Sequence, residues 1–286
     1  MSGWAWAGTV TVLGVVAVLA LWAWGRARWE GLTRELEARL LAARQQPRVT
    51  RYREAELAGL PPPVQRYFRA VLRDGQPIVT GATLQHSGSF NLGETADRWV
   101  PFTSRQRVVT RRPGFVWDAR MPMAPGLTVH VHDAYVDGEG LLRPALLGLF
   151  ALTELRGGGD IAFGELMRFV AEAAWYPTAL LPSQGMRWAP VDDHTARATL
   201  TDGPITLTLT FTFDAEGLVT TVRADARGRT VGGRVVPTPW EGRWSDYRWH
   251  GGLRVPMQGE VAWLLPAGPR PYWRGTIMSL QYEWAR

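Results

Sequence analysis

From Trp4 to Trp24 the chain runs for 21 residues without a charged side chain. At about 1.5 Å of rise per residue, a helix of that length spans about 30 Å, the thickness of a bilayer's hydrocarbon core. Trp4 and Trp6 stand at one end and Trp22 and Trp24 at the other, where indole rings favour the boundary between acyl chains and headgroups. A cleavable signal peptide carries a basic start, a shorter apolar run and small residues before the cut. This run instead begins Met1-Ser2-Gly3 and ends Leu21-Trp22-Ala23-Trp24. It reads as an uncleaved, single-pass transmembrane helix over residues 1–25. Arg26, Arg28, Arg34, Arg39 and Arg44 follow it, and only the α-amino group precedes it. The positive-inside rule then expects a cytoplasmic body beside anionic lipid, with a periplasmic or extracellular body as the alternative.

The net charge of +6 and pI near 10.2 invite a nucleic-acid partner until the charge is located. The first 73 residues carry 11 Arg and 5 Glu, so the remaining chain is balanced and offers no concentrated basic patch. No nucleic-acid partner is expected. Every one of the 32 basic residues is Arg, which reads as a base-composition bias. The absence of Cys excludes disulfides, a thiol nucleophile and a thiolate metal site.

Trp29, Leu32, Leu36 and Leu40 form one stripe of a helix over residues 28–46, making residues 26–50 a juxtamembrane amphipathic segment. The stripe suits the membrane surface, a second copy or the body itself. Pro61-Pro62-Pro63 opens another helix, with Val64, Tyr67, Phe68, Val71 and Leu72 on one face. After Pro77 the period becomes twofold. Ile205, Leu207, Leu209, Phe211 and Phe213 alternate with four threonines, and similar patterns recur over residues 83–90, 99–110, 114–121, 127–136, 195–201, 218–226, 243–250, 259–265 and 272–284. A third helix over Gly164 to Tyr176 interrupts them. Its Glu165, Arg168 and Glu172 at i+3 and i+4 spacing read as a solvated salt-bridge face. The expected fold is α+β and mainly β, a curved antiparallel, half-barrel-like sheet packed with a few helices, as a single domain over residues 51–286.

Chemistry-bearing residues are sparse. His130 and His132 share a strand face and suit two positions around a metal ion, with the third left to His86, His194, His250, Asp118 or Glu139. The alternative for the pair is a solvated strand face. Asp133 has the opposite parity, among Val129, Val131 and Tyr135. It is expected to be a structural buried carboxylate requiring an arginine from the body. Ten tryptophans lie between Trp99 and Trp284, and Trp117, Tyr135, Trp175 and Trp263 are the candidates for an apolar groove, with core packing as the alternative. Phosphate-loop, nucleophile-elbow, metalloprotease-helix and calcium-loop patterns are absent.

Five blocks carry a resemblance: Leu60 to Phe68, Pro113 to Arg120, Asp133-Ala134-Tyr135, Glu172 to Pro182 and Pro239-Trp240-Glu241-Gly242. In this order they resemble a bacterial domain-of-unknown-function family of membrane-anchored proteins, over nearly all of the chain after Leu57. The strand pattern with one helical interruption is more remotely similar to the half-barrel of the outer-membrane lipoprotein carriers. That likeness implies a curved sheet sheltering acyl chains beneath helices. The expectation is a membrane-anchored protein, more a binder than an enzyme, that takes a lipid or another apolar ligand between sheet and helix without a cofactor. A hydrolase with a metal on His130 and His132 and a membrane-associated scaffold are the alternatives, and the oligomeric state stays open.

Overall fold

Side chains that alternate between two environments hold a chain in extended strands, and most of this chain after Pro77 obeys that period. The computed structural model describes residues 3–93 and 96–286, with side chains from residue 9 onward except residue 11, so the Trp4 and Trp6 rings lie outside the described residues. Fourteen strands among the described residues form one antiparallel sheet, a curved half-barrel. They are β1 (Val79–Asn91), β2 (Trp99–Val109), β3 (Gly114–Ala124), β4 (Leu127–Val136), β5 (Glu139–Leu146), β6 (Phe150–Ala151), β7 (Leu155–Gly157), β8 (Arg187–Pro190), β9 (Thr195–Asp202), β10 (Ile205–Phe213), β11 (Val219–Val231), β12 (Arg234–His250), β13 (Leu253–Leu265) and β14 (Gly268–Trp284). The order is β6-β5-β4-β3-β2-β1-β14-β13-β12-β11-β10-β9-β8, with β7 on β5. Two meanders therefore meet where β1 pairs with β14, Leu84 opposite Leu280.

The mainly β half-barrel agrees with the sequence pattern, and the differences are local. Strands β5 to β8 carry no clean alternation. β5 contains Pro144, and Gly140 leaves room for the backbone of Ile161 and Ala162, which a Cβ would meet at 2.7 Å. The hairpin of β11 and β12 extends well beyond the expected ends at Ala226 and Arg243, since Pro237 lies opposite Gly228 in its outer part. Proline and glycine mask strand periodicity there.

Helices α2 (Pro62–Val71) and α3 (Gly159–Glu172) pack on the concave side and share one apolar core with the sheet. Three short 3-10 turns over residues 173–184 follow α3. The Glu165, Arg168 and Glu172 face is a correction to the sequence reading. Glu165 and Glu172 are buried, and Arg168 is nearly so, because this face points into the half-barrel toward Asp133. α3 is therefore enclosed on both its apolar and its charged face.

Helix α1 (Gly3–Ala43) is unbroken. By length and composition it can cross a membrane, and its described side chains up to Trp24 are exposed. From Gly25 onward it lies on the outer face of β2, β3 and β4. Leu40 packs with Val109, Val116, Ala134, Val136 and Leu141, and Leu36 flanks them. Among the partners the sequence left open for this stripe, the body takes it.

Candidate ligand cavity

A cavity of about 790 Å³ lies between α3 and the concave face of the sheet. Its apolar wall comes from Trp117 on β3, Trp240 and Trp244 on β12, Trp263 on β13, Tyr272 and Trp273 on β14 and Phe90 on β1. Register places these rings together: Trp240 is opposite Trp263, and Val261 is opposite Trp273. The rings of Trp244 and Trp273 lie across Gly259 and Gly275, where any Cβ would run into them. Trp263 and Tyr272 stack at 5.5 Å and 22°, and Trp240 Nε1 donates to Tyr272 Oη at 2.8 Å. Trp117 and Trp244 each bury an indole N–H with no acceptor among the described residues.

The polar wall is built around α3. Arg168 donates to Asp133 Oδ2 at 2.5 Å, to Glu172 Oε1 at 2.6 Å and to Gln106 Oε1 at 3.2 Å. Gln106 closes the ring by donating to Glu172 Oε2 at 2.6 Å. The guanidinium also lies over the rings of Phe115 and Trp117, at 4.8 and 5.0 Å. Arg227 sits 3.8 Å from Glu165 and 5.1 Å over Trp240. Burial and the neighbouring Asp133 charge push the Glu165 carboxyl well above the usual range. Beside α3, two arginines thus face three carboxyl groups, of which burial holds Glu165 toward its neutral form.

A family model described as a family of unknown function, DUF6920, matches residues 58–282. The chain belongs to DUF6920. No curated protein matches it. Among solved structures it is similar to a LolA superfamily protein from Nitrosomonas europaea, at 9% identity and a TM-score of 0.39, over 77% of this chain and 92% of that one. A DUF1849 beta-barrel-like protein from Brucella abortus matches at 10% identity and a TM-score of 0.21, over 72% and 99% of the two chains. The DUF6920 region holds the whole cavity wall, whereas α1 lies before it.

Within this DUF6920 fold, Trp117 and Trp263 line the cavity, and Tyr135 and Trp175 lie in the core beside it. Tyr135 Oη donates to Asp202 Oδ2 at 2.7 Å, and Trp175 Nε1 donates to the carbonyl of Pro256 at 3.1 Å. Asp133 takes its arginine from α3. Trp240, Trp244 and Trp273 were not among the groove candidates read from sequence, although Trp240 lies in one of the five blocks. Trp240 and Trp244 share a strand face by parity, a signal that could have placed them together.

His130 and His132 face the other way, under α1. His132 is buried, stacked on Trp29, and its Nε2 lies 2.7 Å from Thr33 Oγ1. His130 tilts against the same indole at 5.3 Å. Trp29 Nε1 donates to Asp118 Oδ1 at 2.9 Å. Burial pushes His132 down to about 3 and His130 down to about 4, and raises Asp118. The solvated strand face expected as the alternative is thus occupied by a helix. Among the described residues no three His, Asp or Glu side chains converge on one metal position.

Proposed function

We propose that this DUF6920 protein is a membrane-anchored module that binds one apolar, acyl-chain ligand in the cavity between α3 and the sheet. In this reading residues 1–25 are the anchor, residues 26–50 the juxtamembrane helix and residues 51–286 the body, held on the cytoplasmic side by the arginines after the span. The observation that carries it is the aromatic cavity of about 790 Å³, a size typical of small-molecule sites. The pairing of Arg168 and Arg227 with carboxyl groups supports an apolar guest, because an unpaired buried charge would favour an ionic one. The unpartnered indole N–H groups of Trp117 and Trp244 suit a ligand with a hydrogen-bond acceptor near its chain, such as an ester.

Photo-crosslinking tests the reading on the full chain in vesicles containing a phospholipid with a diazirine in its acyl chain. The expected crosslinks fall on peptides of β3, β12, β13 and β14, as well as on α1. They should be lost from the sheet peptides in Gly164→Leu. Gly164 lines the cavity, and a Cβ there meets nothing nearer than Arg227 Nε at 3.7 Å, so a leucine has room to enter. Crosslinks confined to α1 in the unmodified protein would rule out the acyl-chain reading.

A further inference from the structure

Outside α1, most of the exposed large apolar side chains gather at one end of the half-barrel. Register identifies that end: Asn91 pairs with Trp99, Ala124 with Leu127, Val231 with Arg234 and Leu265 with Gly268, so these turns lie together. The turn after β5 joins them, because Leu147 N donates to the carbonyl of Thr128. Phe150 is 58% and Leu152 60% exposed, and Val235 on the β11–β12 hairpin is 53% exposed. Leu92, Leu127 and Val236 add to the same rim. The cavity opens there too, since Leu92, Leu155, Thr230 and Val235 line it.

The place where the apolar helix leaves the body is the second observation. Arg28 Nη1 donates to the carbonyl of Leu149 at 2.9 Å, and a Cβ on Gly25 would meet Leu149 Cγ at 2.9 Å and the Leu147 carbonyl nearer still. The turn bearing Phe150 is therefore clasped to α1 within one or two helical turns of Trp24, the last tryptophan of the uncharged run. Because α1 is one unbroken helix, the body cannot sit far from the end of that run.

We infer that the open end of the half-barrel rests on the bilayer that α1 enters, with Phe150, Leu152 and Val235 in the headgroup layer and the cavity mouth facing lipid. An apolar rim of this kind stays solvated at a cost unless something covers it, and the lipid surface is the partner that the helix brings within reach. Ligand then passes between bilayer and cavity without crossing water. This rests on the anchor reading above, and its test separates the two.

The chain has no cysteine, so single-cysteine variants of the full chain can be labelled cleanly with an environment-sensitive fluorophore. Vesicles of phosphatidylethanolamine and phosphatidylglycerol carrying a nitroxide lipid supply the quencher. Leu152→Cys and Val235→Cys should be quenched several-fold more than Val191→Cys and approach Val18→Cys. Val191 serves as the distal control: it lies two residues from Asp193, whose carbonyl Arg66 of α2 reaches. Quenching at position 18 with positions 152 and 235 reading like 191 would overturn the docked rim and leave the anchor standing. No quenching at position 18 would remove both.

Discussion

The indole of Trp29 stacks on the imidazole of His132, 3.8 Å between centroids and 9° from parallel. That contact fastens α1 to β4, and it holds only while the ring is neutral and buried. The folded His132 is pushed down to about 3, mainly by burial, with Arg143 and His130 adding. An unfolded histidine titrates near 6.5, so between about pH 6.5 and 3 only the unfolded chain takes the proton. Stability from this group is present above that window and falls by about 1.4 kcal/mol per pH unit inside it. Denaturant unfolding of the wild type and His132→Gln at descending pH should show the gap between them narrowing at that rate. A gap that stays constant would mean that His132 is not buried in the neutral form.

Two glycines of α1 should respond in opposite directions. Gly31 has only Arg34 Nη2 near its Cβ position, at 3.9 Å, so Gly31→Ala should gain about 1 kcal/mol of helix propensity. Gly25→Ala would place a methyl against Leu147 and Leu149, and should detach the helix from the β5–β6 turn. Limited proteolysis of the segment at residues 147–155 reads the detachment directly. Equal protection in both variants would show that the clasp is not tight.

Arg168 holds the buried Glu172 and the half-buried Asp133, so Arg168→Met should destabilise the body by about 3–5 kcal/mol, because both carboxylates lose the guanidinium that pairs them. Glu165→Gln should behave differently. The folded carboxyl titrates above its ordinary value, so its stabilising contribution is present below about pH 4.5 and is lost as pH rises toward the folded pKa. The amide does not ionise and so avoids that loss. Thermal unfolding should therefore show Glu165→Gln gaining on the wild type as pH rises from about 4.5 to 7. A relative loss over that range would assign Glu165 the ionised state.

Strand β10 was legible because its nine residues alternate without interruption, and Asp133 because its parity left a carboxylate among apolar neighbours. The Arg168 face was misread for a related reason. Helical spacing alone cannot tell a solvated ion pair from a buried one, and the distinction required knowing that β4 lies across from α3. The cavity was half legible. Trp117 and Trp263 reach it by strand parity, but Trp175 is removed by the 3-10 turns after α3, and Tyr135 by its bond to Asp202. The open-end rim was not legible, since which turns share an end depends on strand pairing between residues more than a hundred positions apart.

Asp202 ties distant parts of the sheet together and carries the last prediction. It accepts from Tyr135 Oη on β4 at 2.7 Å and from Arg112 Nε, in the β2–β3 turn, at 2.9 Å. Arg112 also pairs with Asp137 in the β4–β5 turn. β9, which Asp202 ends, and β4 lie far apart in the strand order, so this cluster, buried at Tyr135 and Asp202, holds the half-barrel's curvature across its gap. Tyr135→Phe should cost about 1.5–3 kcal/mol, the worth of a hydrogen bond to a charged group. Asp202→Ala should cost more, since it leaves a buried phenol and a guanidinium without their shared acceptor. The double variant should lose less than the two single costs combined, with a coupling of about 0.5–3 kcal/mol. Simple additivity in denaturant unfolding would mean that the two residues act separately and that the closure is held elsewhere.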